Sequence, residues 1–271
     1  MANATINFNG IDLGQGDYGV TLLYGFDCVP SVQPRIDIQQ VPYGGGVSQG
    51  RFDNSAFLDV DVMVEGGTPA EFQTHVWNIG YVFNTPTADA VLWFPNTKIS
   101  TVRWKARLFG MSQPFDQTDR SAKYTYTFAI PRAPAEIIIE TSQTVNPAGA
   151  PHAFTIPAAG TLAGNTEAFP VYTFTATGVV ASISLVSVTQ TVTLTYVGAL
   201  AATNILEINT DPGIMSVLKS VDAGATYTNA IGNLTVLGFP TLNPRVSNSM
   251  MVLGANNTTL VITYRARNTT G

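Results

Sequence analysis

The chain has 271 residues, 45% of them hydrophobic and only 11% charged, with a formal net charge of -5. A soluble domain ordinarily carries roughly twice that charged fraction, so much of the polar surface must be Thr, Asn, Gln and Ser, a balance that suits β-sheets and subunits buried in an assembly. The acid excess argues against a protein that grips duplex DNA by neutralising phosphates, the single cysteine, Cys28, excludes an internal disulfide framework, and no apolar run reaches the roughly 20 residues of a membrane helix.

The opening MANATINFNG has neither a basic n-region nor an apolar h-region, so no signal peptide is expected and the chain is expected to be made in a cytoplasm. Val20 to Tyr24 is the first strand candidate. From Leu58 to Glu65 apolar and polar residues alternate strictly, with Asp59 and Asp61 on the polar face, which predicts a half-buried strand. Thr68-Pro69-Ala70-Glu71 then combines an N-cap Thr, a Pro at the first helical position and a Glu three residues after the cap. Phe72, Val76, Ile79 and Phe83 follow at helical spacing, and Asn84 and Pro86 end the pattern, predicting one helix over about 68–83. Thr101 to Phe109 alternates again, with Val102, Trp104, Ala106 and Leu108 on one face and Arg103, Lys105 and Arg107 on the other. Tyr124 to Ile130 is expected to return antiparallel after a polar loop.

Pro131-Arg132-Ala133-Pro134 marks an expected boundary between a first domain, 1–133, and a second, 134–271. Beyond it the chain loses most of its charge. Phe169–Ala176, Ile183–Val188, Val192–Tyr196, Ile205–Asn209, Met215–Lys219 and Leu260–Arg265 read as strands at sandwich-like spacing, with Asp211-Pro212-Gly213 as a turn. The expected fold is mainly β: two β-sandwich domains, the first with one packed α-helix.

Chemistry-bearing constellations are sparse. His75 falls inside the helix and His152 in a Pro/Ala loop; with Cys28 remote from both, no zinc-like spacing exists, and His75 and Cys28 are expected to be ordinary packing residues. Gly14-Gln15-Gly16-Asp17-Tyr18-Gly19 matches GxGxxG, but a strand-like Val20-Thr21-Leu22 follows where a dinucleotide site needs a helix, so a glycine turn is expected. Asp59/Asp61 and Asp116/Asp119 are carboxylate pairs without a convergent His or Glu, on a strand face and in a hairpin loop. The Arg103/Lys105/Arg107 row is either a solvated strand face or a charged contact with a neighbouring subunit. Sequons such as Asn233-Leu234-Thr235 reflect Thr-rich composition.

The order of several segments resembles the distal tail (Dit) proteins of long-tailed phages. In the first half these are the Asp17-Tyr18-Gly19-Val20 opening, Pro34-Arg35-Ile36-Asp37-Ile38 running to Tyr43-Gly44-Gly45-Gly46, the strand Phe57–Glu65, the capped helix, Leu92-Trp93-Phe94 and the following strand pair. In the second half they are Gly164–Val171, Leu206-Glu207-Ile208-Asn209-Thr210-Asp211, and Phe239-Pro240-Thr241-Leu242-Asn243-Pro244, with Arg245 where Gly is common and Asn248 at a late Asn position. The resemblance implies a virion subunit at the tail tip, assembled in the host cytoplasm. It implies a homo-oligomeric ring, usually hexameric, that joins the tail tube to the tip hub around a DNA-sized channel. It also implies a galectin-like second domain facing tape-measure, receptor-binding or side-fibre proteins, and no cofactor or catalytic residue. Arg103, Lys105, Arg107, Tyr43 and Arg51 are the candidate subunit-interface residues, and Gly44–Gly50 is expected to be a flexible arm. Three other readings stand beside it: a tail-tube subunit, a carbohydrate-binding module, and a carboxylate-only glycosidase.

Overall fold

The architecture is taken from a computed structural model that describes residues 5–14, 16–23, 34–40, 46–53, 56–84, 89–97, 100–131, 135–149 and 151–268, with the backbone alone between 34 and 56. The chain divides into two units, 1–138 with 269–271, and 139–268.

In the first unit the strands are β1 (Asn7–Phe8), β2 (Ile11–Asp12), β3 (Val20–Leu22), β4 (Pro34–Gln40), β5 (Gly46–Asp53), β6 (Ala56–Glu65), β7 (Ala90–Trp93), β8 (Val102–Met111), β9 (Ser121–Ile130) and β10 (Ala135–Ile137), with helix α1 (Pro69–Asn84) between β6 and β7. Seven of them run antiparallel in the order β2-β1-β7-β8-β9-β6-β3, and β10 pairs with β8. The alternation in β6 buries Leu58, Val60, Val62 and Val64 and turns Asp59 and Asp61 outward. Each fully buried aliphatic side chain is worth about 1.5–3 kcal/mol, which pins the register, since a slip of one residue would bury the aspartates.

Helix α1 lies on that inner face. Thr68 caps it: its Oγ1 accepts the Glu71 N–H at 3.2 Å, while the Glu71 carboxylate reaches back to the Gly67 N–H at 2.8 Å. This is a capping box shifted by one residue, and it fixes the first turn. Phe72, Ile79, Val82 and Phe83 are buried, with Val76 packed beside them. Phe83 makes edge contacts with Phe8, Tyr126 and Phe128 at 5.2, 4.9 and 5.5 Å between ring centroids, an aromatic knot that holds helix to sheet. Burial pushes the Tyr126 phenol far above its ordinary pKa, and the neighbouring Tyr124 adds to the effect.

The second unit is a two-sheet sandwich. Its strands are β11 (Thr141–Val145), β12 (His152–Ile156), β13 (Val171–Ala176), β14 (Val180–Ser187), β15 (Val192–Leu200), β16 (Ile205–Asn209), β17 (Ser216–Ser220), β18 (Thr228–Asn229), β19 (Leu234–Leu237), β20 (Asn248–Leu253) and β21 (Thr258–Tyr264); the two-residue β22 (Arg267–Asn268) joins neither of its sheets. One sheet has the order β11-β21-β13-β16-β17-β18 and the other β12-β20-β14-β15-β19. Tyr172, Phe174, Ile183, Leu185, Tyr196, Ile208 and Ile262, contributed by both sheets, form a single dry core between them. The chain is therefore mainly β, with sandwich architecture.

Two expectations are corrected here. His152 is not in a loop: it opens strand β12, which pairs with β20 from His152↔Val252 to Ile156↔Asn248. Flanking prolines disguise this strand in the sequence. Gly46 to Gly50 is not a flexible arm: it forms the first half of β5, paired with β4 from Gln40↔Gly46 to Pro34↔Asp53. Gly44, Gly45, Tyr43 and Cys28 lie outside the described residues.

Candidate functional site

The basic row on β8 is largely spent within its own unit. Arg103 donates from Nε and Nη2 to Glu136 Oε2 at 3.1 and 3.0 Å, and Glu136 stands opposite it on β10. Arg107 Nη2 lies 3.3 Å from Asp89 Oδ1, with the Arg107 side chain 55% exposed. Lys105 is half-buried between them. Only the backbone of Arg51 is described, in β5 opposite Ile36. The structure thus places three of the five interface candidates on one strand and ties two of them to acidic partners.

The carboxylate pairs do not converge. Asp59 accepts from Thr127 Oγ1 at 2.5 Å and Asp61 from Thr125 Oγ1 at 2.6 Å, each bonded across to β9. Asp116 accepts from Lys123 Nζ at 2.6 Å, and Asp119 lies on the exposed loop beside Arg120. No group of three or more His, Cys, Asp or Glu with metal-holding geometry exists among the described residues.

The GxGxxG segment leads into β3, with Val20 N–H bonded to Leu13 O, so no helix N-terminus meets it. Gly19 has φ +56°, and a Cβ there would come within 2.2 Å of Glu65 O and 2.5 Å of His75 Nδ1. The missing side chain is what lets the turn press against β6 and α1. His75 is buried and its Nδ1 is 2.6 Å from Glu65 O. A carbonyl only accepts, so Nδ1 carries the proton. An open cleft of about 480 Å³ is lined here by Gly14, Gly19, Glu65, His75, Arg120 and Ser121. Its polar groups tie the helix start to β6 and to the loop before β9, with Gly66 N–H on Arg120 O and Arg120 Nη1 on Gly67 O. The cleft reads as a joint in the fold.

The second-half motifs converge on one another. Ala168 and Leu242 exchange reciprocal backbone hydrogen bonds at 3.0 and 2.9 Å. Pro170 O accepts both the N–H and the Oγ1 of Thr210, and Tyr172 OH donates to Pro240 O. Gln190 Nε2 donates to Thr241 Oγ1 and Asn243 Oδ1, and its Oε1 accepts the Thr241 N–H. Arg245, where Gly is common in the resembling pattern, has φ +59°, a left-handed backbone that favours glycine. The fully buried Asn248 spans the turn: its Oδ1 accepts Asn243 N–H at 2.8 Å and its Nδ2 donates to Asn243 O at 3.0 Å and Ile156 O at 3.3 Å. These motif residues are determinants of the sandwich. Of the second-half aromatics a sugar platform could use, Tyr172, Phe174, Tyr196 and Tyr264 are buried, Phe154 and Phe239 pack on the core, the Phe169 ring is covered by the Arg267 guanidinium 4.5 Å away, and Tyr227 is exposed.

Against solved structures, the chain aligns over 97% of its length with 98% of the crystal structure of the SPP1 Dit protein, at a TM-score of 0.68 and 14% identity. The chain has the fold of a phage Dit protein. SPP1 Dit is described as a paradigm of the hub adsorption apparatus of phages infecting Gram-positive bacteria. Two structures of the phage P2 baseplate in its activated conformation, with Ca and with Sr, also match. They share 11% and 12% identity, at TM-scores of 0.56 and 0.53, over 96% and 94% of this chain and 97% and 98% of theirs. The Dit-like fold spans both units end to end, which the tube-subunit and sugar-module readings do not require. No family model and no curated protein matches the sequence.

Proposed function

We propose that the chain is a structural subunit of a phage tail tip, forming a ring, most simply a hexamer, that joins the tail tube to the tip hub and lets DNA pass. One observation carries the reading: the likeness to Dit and baseplate chains covers 94–97% of this chain, both units included. The low charge supports it, because heterologous contacts that close on themselves leave no free patch to aggregate.

In this reading the first unit builds the ring. The β4–β5 hairpin supports that assignment, since among the described residues it pairs with no other strand, and an isolated hairpin is marginal in water without a surface to lie on. The neighbouring subunit supplies that surface. Arg107, whose side chain is 55% exposed, faces the neighbour together with Lys105, while Arg103 serves β10. Arg51, opposite Ile36 in the hairpin, enters the contact with it, and Tyr43 is assigned to the same contact. The sandwich is offered to tape-measure, receptor-binding or side-fibre proteins. The role is non-enzymatic, needs no cofactor, and places the chain in the virion after assembly in the host cytoplasm.

Mass measurement of the purified chain with negative-stain imaging tests this. Six-fold rings, either alone or on adding the hub protein, are expected. A strict monomer that joins neither tube nor hub rules the reading out, and long tubes of the chain alone favour the tube subunit.

A further inference from the structure

The outer face of the first unit's sheet joins exposed rings to unpaired carboxylates. Phe57 and Phe109 meet with centroids 4.9 Å apart, yet stay 57% and 71% exposed. Leu108 and Gly110 bracket a break in the β8–β9 register, and Phe109 is the extra residue; a bulge of this kind re-aims one side chain. Phe57 stands opposite Ala129, which also pairs with Arg107, so the rings lie on the face away from α1. Asp59 and Asp61 continue the same face of β6 at the two-residue repeat of a strand, about 7 Å apart. Both are exposed. Each accepts from one threonine hydroxyl of β9, and no cation meets either carboxylate among the described residues.

The β4–β5 hairpin carries the complementary set. Its register places Ile36 opposite Arg51 and Ile38 opposite Ser48. Residues that stand opposite one another share a face, and so do residues two apart. Ile36, Ile38 and Arg51 therefore occupy one face of the hairpin: two aliphatic residues and one cation, against two rings and two carboxylates. Within a single chain the patch stays open, since the rings are exposed and the aspartates meet only threonine.

We propose that the β4–β5 hairpin of one copy lies across the Phe57–Phe109 patch of the next, with Ile36 and Ile38 against the rings and Arg51 at Asp59 and Asp61. This contact rests on the ring reading and names the surface that the hairpin meets. Charge selects the occupant. Covering Asp59 and Asp61 without a cation would bury unpaired charge, so the occupant must bring one, and the planar fork of an arginine suits a carboxylate. The hairpin brings it next to apolar residues, and among the described residues it pairs with no other strand. Each copy gives one hairpin and receives one, a heterologous contact of the sort that closes into a ring. An aromatic side chain buries about 150–250 Å² in full, so the two partly exposed rings offer on the order of 250 Å². That fits the apolar centre of an interface of about 800 Å² per partner.

The test uses the full chain under the conditions in which the wild type forms rings. Native mass measurement is the readout, and far-UV spectra show that each variant folds. Arg51→Glu alone, and Asp59→Lys with Asp61→Lys, each set like charge against like. Each is expected to raise the concentration of half-assembly at least about tenfold. Combining the three substitutions restores opposite charges in reversed order, and rings are expected to return. Rings at the wild-type concentration with either set, or a combined variant no better than its parents, overturns this contact and leaves the ring reading in place. A wild-type chain that never assembles, with or without its tail partners, overturns the ring reading and this contact together. If the lysine pair misfolds, Asp59→Asn with Asp61→Asn keeps an acceptor for each threonine and removes the charge. Arg51→Glu is then expected to weaken assembly less in that background than in the wild type, and an equal loss in both overturns the contact.

Discussion

Asn248 offers a sharp energetic test of the second unit. Its side chain is fully buried and makes bonds that no other group replaces: Oδ1 takes the Asn243 N–H at 2.8 Å, and Nδ2 gives to the carbonyls of Asn243 and Ile156 at 3.0 and 3.3 Å. Asn248→Ala removes all three and leaves the partly buried Asn243 N–H without its acceptor. An orphaned donor costs about 1–3 kcal/mol and each further lost bond about 1 kcal/mol net, so the expected loss is about 3–5 kcal/mol. Asn248→Asp should be worse, because a carboxylate keeps the acceptor for Asn243 N–H but faces two carbonyls with no proton to give. Urea unfolding of the full chain measures the loss. Hydrogen exchange should show protection falling around 156 and 243–248. A cost below about 0.5 kcal/mol, the range of ordinary surface substitutions, or an Asp variant more stable than the Ala variant, would refute the role given to this side chain.

Other outcomes follow from the same geometry. Gly19→Ala is expected to destabilise by about 2–4 kcal/mol, since it adds left-handed strain to a Cβ pressed onto Glu65 O; thermal unfolding reads it, and a shift within that of a neutral surface variant contradicts the packing described. Thr68→Ala should cost about 1 kcal/mol of helix stability, measurable by the same melt, with Thr68→Ser restoring most of it. Asp222 accepts from Ser220 Oγ and from Thr226 N–H and Oγ1, which hold its pKa at about 2, below the ordinary 3.8. A carboxylate with a depressed folded pKa stabilises fully above its unfolded pKa and loses that contribution as pH falls through the folded value. The urea midpoint should therefore drop between about pH 4 and 2, and Asp222→Asn should flatten that part of the curve; an unchanged slope contradicts it.

Much of the fold is legible in the residues because local and tertiary signals agree there. The alternation in β6 and the Thr68–Glu71 cap are examples, and both hold to within a residue. The elements that escaped notice are those whose local signal is weak or misleading. Strand β12 sits among Pro147, Pro151 and Pro157, which read as loop; β20 begins with Asn248 and Ser249 and runs through two methionines, so only its place between β12 and β14 makes it a strand. The basic row was legible as a row, but its neutralisation by Glu136 and Asp89 depends on strands brought together from 33 and 18 residues away. The bulge that turns Phe109 outward left no signal, because in the sequence Phe109 simply ends an alternating run.

The central claim is a place in a particle, and a label on that particle tests it most directly. Electron microscopy of virions decorated with a gold-tagged binder to the second unit should show label at one end of the tail, at the junction of tube and tip. Label distributed along the tube, or on particles of no kind, would contradict the account.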